Sequence, residues 1–436
     1  MTSSNKETTS AKKGYYSSPR WSNEFLDCSM PMTFDTYNLC SYGCLYCFSY
    51  FQRMHYDDYV NANIRGVNVE KVKKIFTEPD SSQFGEYVKA RIPMQWGGLS
   101  EPFDIKEQEM GITLQLMKFF RDIDYPISFS SKSVWHLKDN RYRDLIEGAK
   151  NFHFKVSIIT LDPKKAEEIE LGVPSPQERF WAIGEYAKLG VAGVNLRLRP
   201  FIIGVSNLNN GHKQMIMYAK SLGAYGVSTE FYCLESRAND ELRARYKDLS
   251  KIVGYDLWEF YRLHSRGSGY RRLNYEIKRP FVLDMEETAR DVEMKLFISD
   301  ANHKERCAHG SCCGLPQDKY FSNYAHCQFT EAIVMAKRNG EVRFSEIAEN
   351  FHGYLDVVSY GAAQGLNQGS LKGHMSNKFK SLYDFMRGVW NDPTRKTSPA
   401  IYFDGILQPA GLDENNDVIY KFNKEKYEGN NTNKSS

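Results

Sequence analysis

No apolar run in this sequence approaches the roughly 20 residues that a membrane-spanning helix needs, so none is expected. The opening stretch MTSSNKETTSAKKGYYSSPR has no apolar segment of the signal-peptide kind. It reads as a disordered polar tail over residues 1–27, matched by a second over 426–436. Net charge is scarce as well. A balance of +3 argues neither for nor against nucleic acid, because a basic groove hides easily in a near-neutral total. With no sign of secretion, the chain is expected in the cytoplasm, where its nine cysteines, an odd number, would not serve as a disulfide framework. They are unevenly placed. Cys28, Cys40, Cys44 and Cys47 come early, Cys233 stands alone, and Cys307, Cys312, Cys313 and Cys327 come late. Two separate clusters point to metal.

What is present is a soluble, globular composition, 41% hydrophobic and 25% charged, on a chain long enough for one large domain with an appendage. From about 30 to 240, β-rich runs (MPMTFDTY, PMQWGG, PISFSSKS, FKVSIITL, GVNLRLRPFIIG, YGVSTEFYCL) alternate with amphipathic helical stretches such as EQEMGITLQLMKFFRDI and PQERFWAIGEYAKLG. Repeated β-then-α units predict an α/β fold around a parallel sheet. Six units are fewer than the eight of a closed barrel, so a partial, open (β/α)6 barrel of the TIM type is expected, with its chemistry at the C-terminal ends of the strands. The expected domains are a core over 28–240, an extension with the second cysteine cluster over 241–330, and an accessory region over 331–425. Together the last two make a mixed α+β C-terminal extension, with FTEAIVMAKRNG and SNKFKSLYDFMRGVW as its clearest helices and no internal repeat.

The first cluster lies in CSYGCLYCFSYFQR. Cys40, Cys44 and Cys47 could share one face of a helix as small buried hydrophobes. Their neighbours oppose this: Gly43 interrupts the pattern, Ser41 and Tyr42 add no apolar stripe, and the segment follows the first strand directly. A [4Fe–4S] cluster normally takes four thiolates, so three from one loop leave one iron without a protein ligand. The C-x3-C-x2-C run after the first strand of a partial barrel resembles the signature of the radical SAM superfamily, with Tyr46 as the aromatic before the third cysteine. The resemblance implies a [4Fe–4S] cluster with one open iron, bound S-adenosylmethionine (SAM), and an external one-electron reductant of the flavodoxin or ferredoxin type. The reduced cluster would cleave SAM to a 5′-deoxyadenosyl radical that takes hydrogen from a substrate.

The resemblance extends over some 200 residues and is nearest to the spore photoproduct lyase-like branch. In WGGLSEPFDIKEQE, Gly97 and Gly98 would let the backbone approach the methionine amino group, with Glu101 or Glu107 beside it. Ser131-Lys132-Ser133 matches the element after the third strand, Lys132 meeting the SAM carboxylate. In KVSIITLD, Ser157 would contact ribose, and EIELGVPSPQERF supplies the landmarks Glu170, Pro174, Pro176 and Arg179. Arg197 and Arg199, two residues apart and facing one way, fit either a clamp on the SAM carboxylate or interior salt bridges.

The second cluster, CAHGSCCGLPQDKYFSNYAHC, gathers Cys307, Cys312, Cys313 and Cys327 with His309 and His326 near. An auxiliary Fe–S cluster, a structural zinc and four buried thiols without metal all fit this spacing. No cysteine lies between Cys47 and Cys233, so the lyase's own hydrogen donor has no counterpart. What the resemblance leaves is a substrate class: a modified nucleobase, such as a thymine derivative in DNA, undergoing isomerisation, lysis or other modification. Basic and aromatic residues interleave in SRGSGYRRLNYEIKRP, where Arg271 and Arg272, with Arg266 and Tyr275 nearby, could meet phosphates and bases. A solvated basic loop reads equally well. Two other readings stand: a peptide-modifying radical SAM enzyme with an auxiliary cluster, and an Fe–S redox-sensing or binding protein that no longer cleaves SAM.

Overall fold

The computed structural model describes residues 18–22, 28–53, 63–82, 84–266, 270–323, 328–349 and 382–429. Seven parallel strands form its central sheet: β1 (Met32–Phe34), β2 (Met94–Trp96), β3 (Ile127–Ser131), β4 (Phe152–Ser157), β5 (Gly193–Phe201), β6 (Gly226–Phe231) and β7 (Lys295–Ile298). They are hydrogen-bonded in chain order, each beside the next, and β1 and β7 do not pair, so the barrel stays open. The fold class is therefore the expected one, with two differences in extent. β7 makes a seventh parallel strand, set by the register Ser228↔Phe297, and it comes from the segment assigned to the extension. At the other edge Arg20–Trp21, within the stretch read as a polar tail, pairs antiparallel with β1.

Alternation along the strands decides what the sheet does. Phe152, Phe154 and Val156 alternate with His153, Lys155 and Ser157; Val194, Leu196 and Leu198 alternate with Asn195, Arg197 and Arg199. The apolar set faces the helices: Phe154 stacks on Tyr186 at 4.0 Å between ring centroids, and Trp96 packs edge-on to Phe120 at 5.7 Å. The alternate, polar set lines the concave side. Local signals place the helices. Pro176–Lys188 starts from a capping box in which Ser175 and Glu178 exchange hydrogen bonds, with Pro176 in its first turn. Asp162 accepts from two backbone N–H groups to start Pro163–Ile169.

Beyond β6 lie two small three-stranded sheets, one of Leu234–Glu235, Tyr270–Leu273 and Ser265–Arg266, the other of Glu341–Val342, Val418–Phe422 and Leu407–Leu412. The helix read in FTEAIVMAKRNG is Gln328–Asn339. That read in SNKFKSLYDFMRGVW is described over Leu382–Trp390, its earlier residues lying outside the described ones. Among the described residues no helix is long and apolar enough to cross a membrane.

Candidate active site at the mouth of the barrel

Cys40, Cys44 and Cys47 sit between the C-terminal end of β1 and the short helix Phe48–Arg53, and all three are free thiols. The loop is held by side chains other than its cysteines. Asp104 accepts the Ser41 backbone N–H at 2.6 Å and its hydroxyl at 2.7 Å. Gly43–Cys44 pairs as a two-residue strand with Glu170–Leu171. The Tyr46 hydroxyl donates to Glu170, whose other oxygen takes the Arg179 guanidinium at 2.6 Å, and Arg179 also donates to the Ser157 carbonyl at 2.7 Å. Glu170 and Arg179 are each 1% exposed, so this ion pair ties the cysteine loop to the end of β4 from inside the core. Asp104 and the joining role of Glu170 escaped the sequence reading. Their signal was present in EPFD and EIELG, but their partners lie 63 and 124 residues away.

The neighbouring strand ends converge on the same loop. Lys132 holds its ammonium 5.6 Å from the centre of the Tyr46 ring. Burial pushes the Cys44 thiol up to about 12, and nearby Lys132 pulls it down. Burial, with Glu101 beside it, also holds Cys40 well above the ordinary thiol value. Glu101 itself fastens the Ser131–Ser133 turn: it accepts from the Ser131 hydroxyl at 2.6 Å and from the Lys132 N–H at 2.8 Å. Ser131 in turn accepts the Ser133 N–H at 3.0 Å. Gly97 has φ +88°, and a Cβ there would collide with the Ser130 carbonyl oxygen, so the close approach of two strand ends requires glycine. A Cβ on Gly98 would meet only the Arg20 side chain and Thr33.

Three expectations need correction. Glu107, the alternative partner for an amino group, is fully engaged: it accepts from Tyr37, from Tyr142 at 2.6 Å, and from the N–H groups of Thr113 and Leu114 at 2.9 and 2.8 Å. It caps the helix Ile112–Asp122 and is not available to a ligand. Arg199 is ion-paired with Glu230 and donates to Ser299, so the salt-bridge reading holds for it. The Arg197 side chain, on the same concave face, makes no hydrogen bond or ion pair among the described residues, though its charge lies near Glu230. Arg271 and Arg272 are consecutive residues of the strand Tyr270–Leu273, so their side chains leave opposite faces and do not act as a pair. Arg272 lies over Tyr270, both close to Cys233, and Tyr270 is also close to Glu230 at the C-terminal end of β6.

The late cysteines are only partly gathered as expected. Cys307, Cys312 and Cys313 come together, joined by Cys28 from the opposite end of the sequence, while Cys327 lies outside the described residues. Among the described residues no three His, Cys, Asp or Glu side chains close around a single metal ion, at either cysteine group.

No protein-family model matches the chain, and no curated protein does. Among solved structures it is similar to a spore photoproduct lyase variant with bound AdoMet and dinucleoside spore photoproduct, at 17% identity and a TM-score of 0.48, covering 65% of this chain and 80% of that one. It is also similar to Streptococcus suis SuiB bound to S-adenosylmethionine, at 14% identity and a TM-score of 0.34, covering 52% and 48%. Likeness at this level leaves the chemistry to be argued from the residues.

Proposed function

We propose that the chain is a radical SAM enzyme in which Cys40, Cys44 and Cys47 hold a [4Fe–4S] cluster with one iron left open for S-adenosylmethionine. The observation that carries the reading is the setting of the three thiols: free, on one short loop at the C-terminal end of β1, with the loop locked by Asp104 and Glu170 rather than by the cysteines. The donor set fits such a group, since soft thiolates favour iron–sulfur clusters and three of them leave one metal corner unfilled. When bound, the cluster and SAM supply an electron-triggered 5′-deoxyadenosyl radical able to take hydrogen from an unactivated position.

The chain's own residues bind and shield. Lys132, beside Tyr46 and Cys44, is the cation suited to a ligand carboxylate. Arg197, uncommitted on the concave face, is a second. Gly97 keeps the backbone free of a side chain where β2 and β3 approach, leaving its peptide open to the ligand's amino end. The helix Asp240–Val253 covers the loop from outside: Arg245 stacks 3.9 Å from the centre of the Tyr50 ring and donates to the Cys44 carbonyl at 3.4 Å. This limits water and stray hydrogen donors near the thiols. An external one-electron donor of the flavodoxin or ferredoxin type completes the system. For the substrate, a nucleobase within nucleic acid is favoured by Arg272 and Tyr270 on one strand face beside the barrel mouth, a cation for phosphate next to a ring for stacking.

Anaerobically reduced protein given SAM should release 5′-deoxyadenosine slowly even without substrate. Replacing Cys40, Cys44 and Cys47 together with Ala should take release to background, while Lys132→Ala should weaken SAM binding and leave the cluster's absorption spectrum unchanged. No release from iron-loaded wild type would overturn the reading.

A further inference from the structure

Two segments 283 residues apart in sequence meet at the open side of the sheet, between β7 and β1. The Cys307 sulfur accepts the Ile298 backbone N–H at 3.1 Å, and the Ala308 N–H donates to the Leu296 carbonyl at 2.9 Å, so this stretch runs back along the free edge of β7. It then enters the concave side. Asn195 donates to the Gly314 carbonyl at 2.8 Å, and the Cys313 sulfur reaches within 4.0 Å of the Gln95 side chain. Ser29, just ahead of β1, lies 3.2 Å from the Ser311 hydroxyl and 3.9 Å from the Cys312 sulfur. Four thiols are thereby gathered. Cys312 and Cys313 are within hydrogen-bond reach of each other, Cys28 lies close enough for its charge to interact with both, and Cys307 does the same with Cys312.

The surroundings carry the opposite charge. Lys155 and Arg197 approach Cys313, and Lys304 approaches Cys28 and Cys307. The Lys155 ammonium is fully buried and has no hydrogen-bond partner. Burial without a partner disfavours the charged form of an amine, and anions beside it restore that form. Thiolates bound to a metal centre would place negative charge beside the Lys155 amine. We propose that Cys28, Cys307, Cys312 and Cys313 bind a second iron–sulfur cluster at the open side of the barrel, with Lys155 and Lys304 as its counter-charges. Soft thiolates select iron–sulfur clusters or zinc. The Ile298 N–H on the Cys307 sulfur is the kind of hydrogen bond that tunes an iron–sulfur cluster. Cys28, from just ahead of β1, joins the late cysteines that the spacing suggested.

The test uses the full chain, reconstituted anaerobically with iron and sulfide, and reads iron and sulfide per chain. The proposal expects the Cys40/Cys44/Cys47→Ala variant to keep about half the wild-type iron with a reducible cluster signal of its own, and Cys28→Ala to lose about half. A triple variant without iron, zinc in place of iron, or full iron in Cys28→Ala would overturn it. The triple variant leaves the second site intact, so the result stands even should Cys28→Ala fail to fold. Failure of the radical SAM reading looks different: the triple variant would then hold wild-type iron.

Discussion

Cys44 and Cys313 are both buried thiols without a disulfide and each has a cation near it, yet the groups around them are partnered differently. Around the first group, Asp104 and Glu170 are saturated by the bonds that fix the loop, and Arg179 is paired. Around the second, cations gather and one of them, Lys155, has no hydrogen-bond partner. The first region is a finished scaffold holding three thiols at a mouth. The second is an unbalanced interior that four thiolates on a metal would balance. The same residue type serves both, and the difference lies in whether the protein alone satisfies the surrounding charges.

Removing one cation from each region sharpens this contrast most. Arg179→Met strands the Glu170 carboxylate in the core and should destabilise the protein by about 3–5 kcal/mol. Lys155→Met, measured in metal-free protein, should have the opposite sign, gaining about 1–3 kcal/mol by deleting an unsatisfied buried group. Urea unfolding of both variants against wild type reads the two values. A clear loss for Lys155→Met would erase the distinction between the regions.

A second measurement probes the mouth alone. His136 packs 3.6 Å from the Phe103 ring centroid, beneath the loop that carries Glu101, and lies 2.6 Å from the Tyr186 hydroxyl. Burial pushes its imidazole down to about 3. The unfolded chain takes up a proton near pH 6.5 that the folded chain refuses until about 3, so stability is lost as pH falls through that window. The loss from this group is roughly 2 kcal/mol by pH 5. His136→Phe keeps the stacking and should remove that increment from the difference between pH 7.5 and pH 5. An unchanged difference would show that His136 titrates normally.

Much of this was legible in the sequence because its signals are local. FKVSIITL and GVNLRLRPFIIG read as strands and PQERFWAIGEYAKLG as a helix, each from its own composition and periodicity. The C-x3-C-x2-C spacing marked the mouth. What stayed hidden depends on register or on distant meetings. The pairing of Arg199 with Glu230 requires knowing that β5 lies beside β6. Cys28 joins Cys312 and Cys313 only because the sheet stays open between its first and last strands. Arg271 and Arg272 read from the sequence as joint phosphate contacts or as a solvated basic loop, and once Tyr270–Leu273 is a strand the period of two separates them.

That separation gives the finest comparison, between neighbours rather than regions. Phosphate contacts dominate nucleic-acid affinity, and each duplex contact contributes about 0.9 to the slope of log affinity against log salt. Arg272 shares its strand face with Tyr270, beside the end of β6, whereas Arg271 leaves the opposite face. If nucleic acid is the substrate, Arg272→Ala should weaken binding of single-stranded or duplex DNA and reduce the salt slope by roughly one unit. Arg271→Ala should change neither. Equal losses from both variants would mean that the strand face does not orient the substrate. Wild-type protein that binds neither form of DNA at low salt, but binds peptides, would move the reading to a peptide substrate while leaving the cluster chemistry at Cys40, Cys44 and Cys47 untouched.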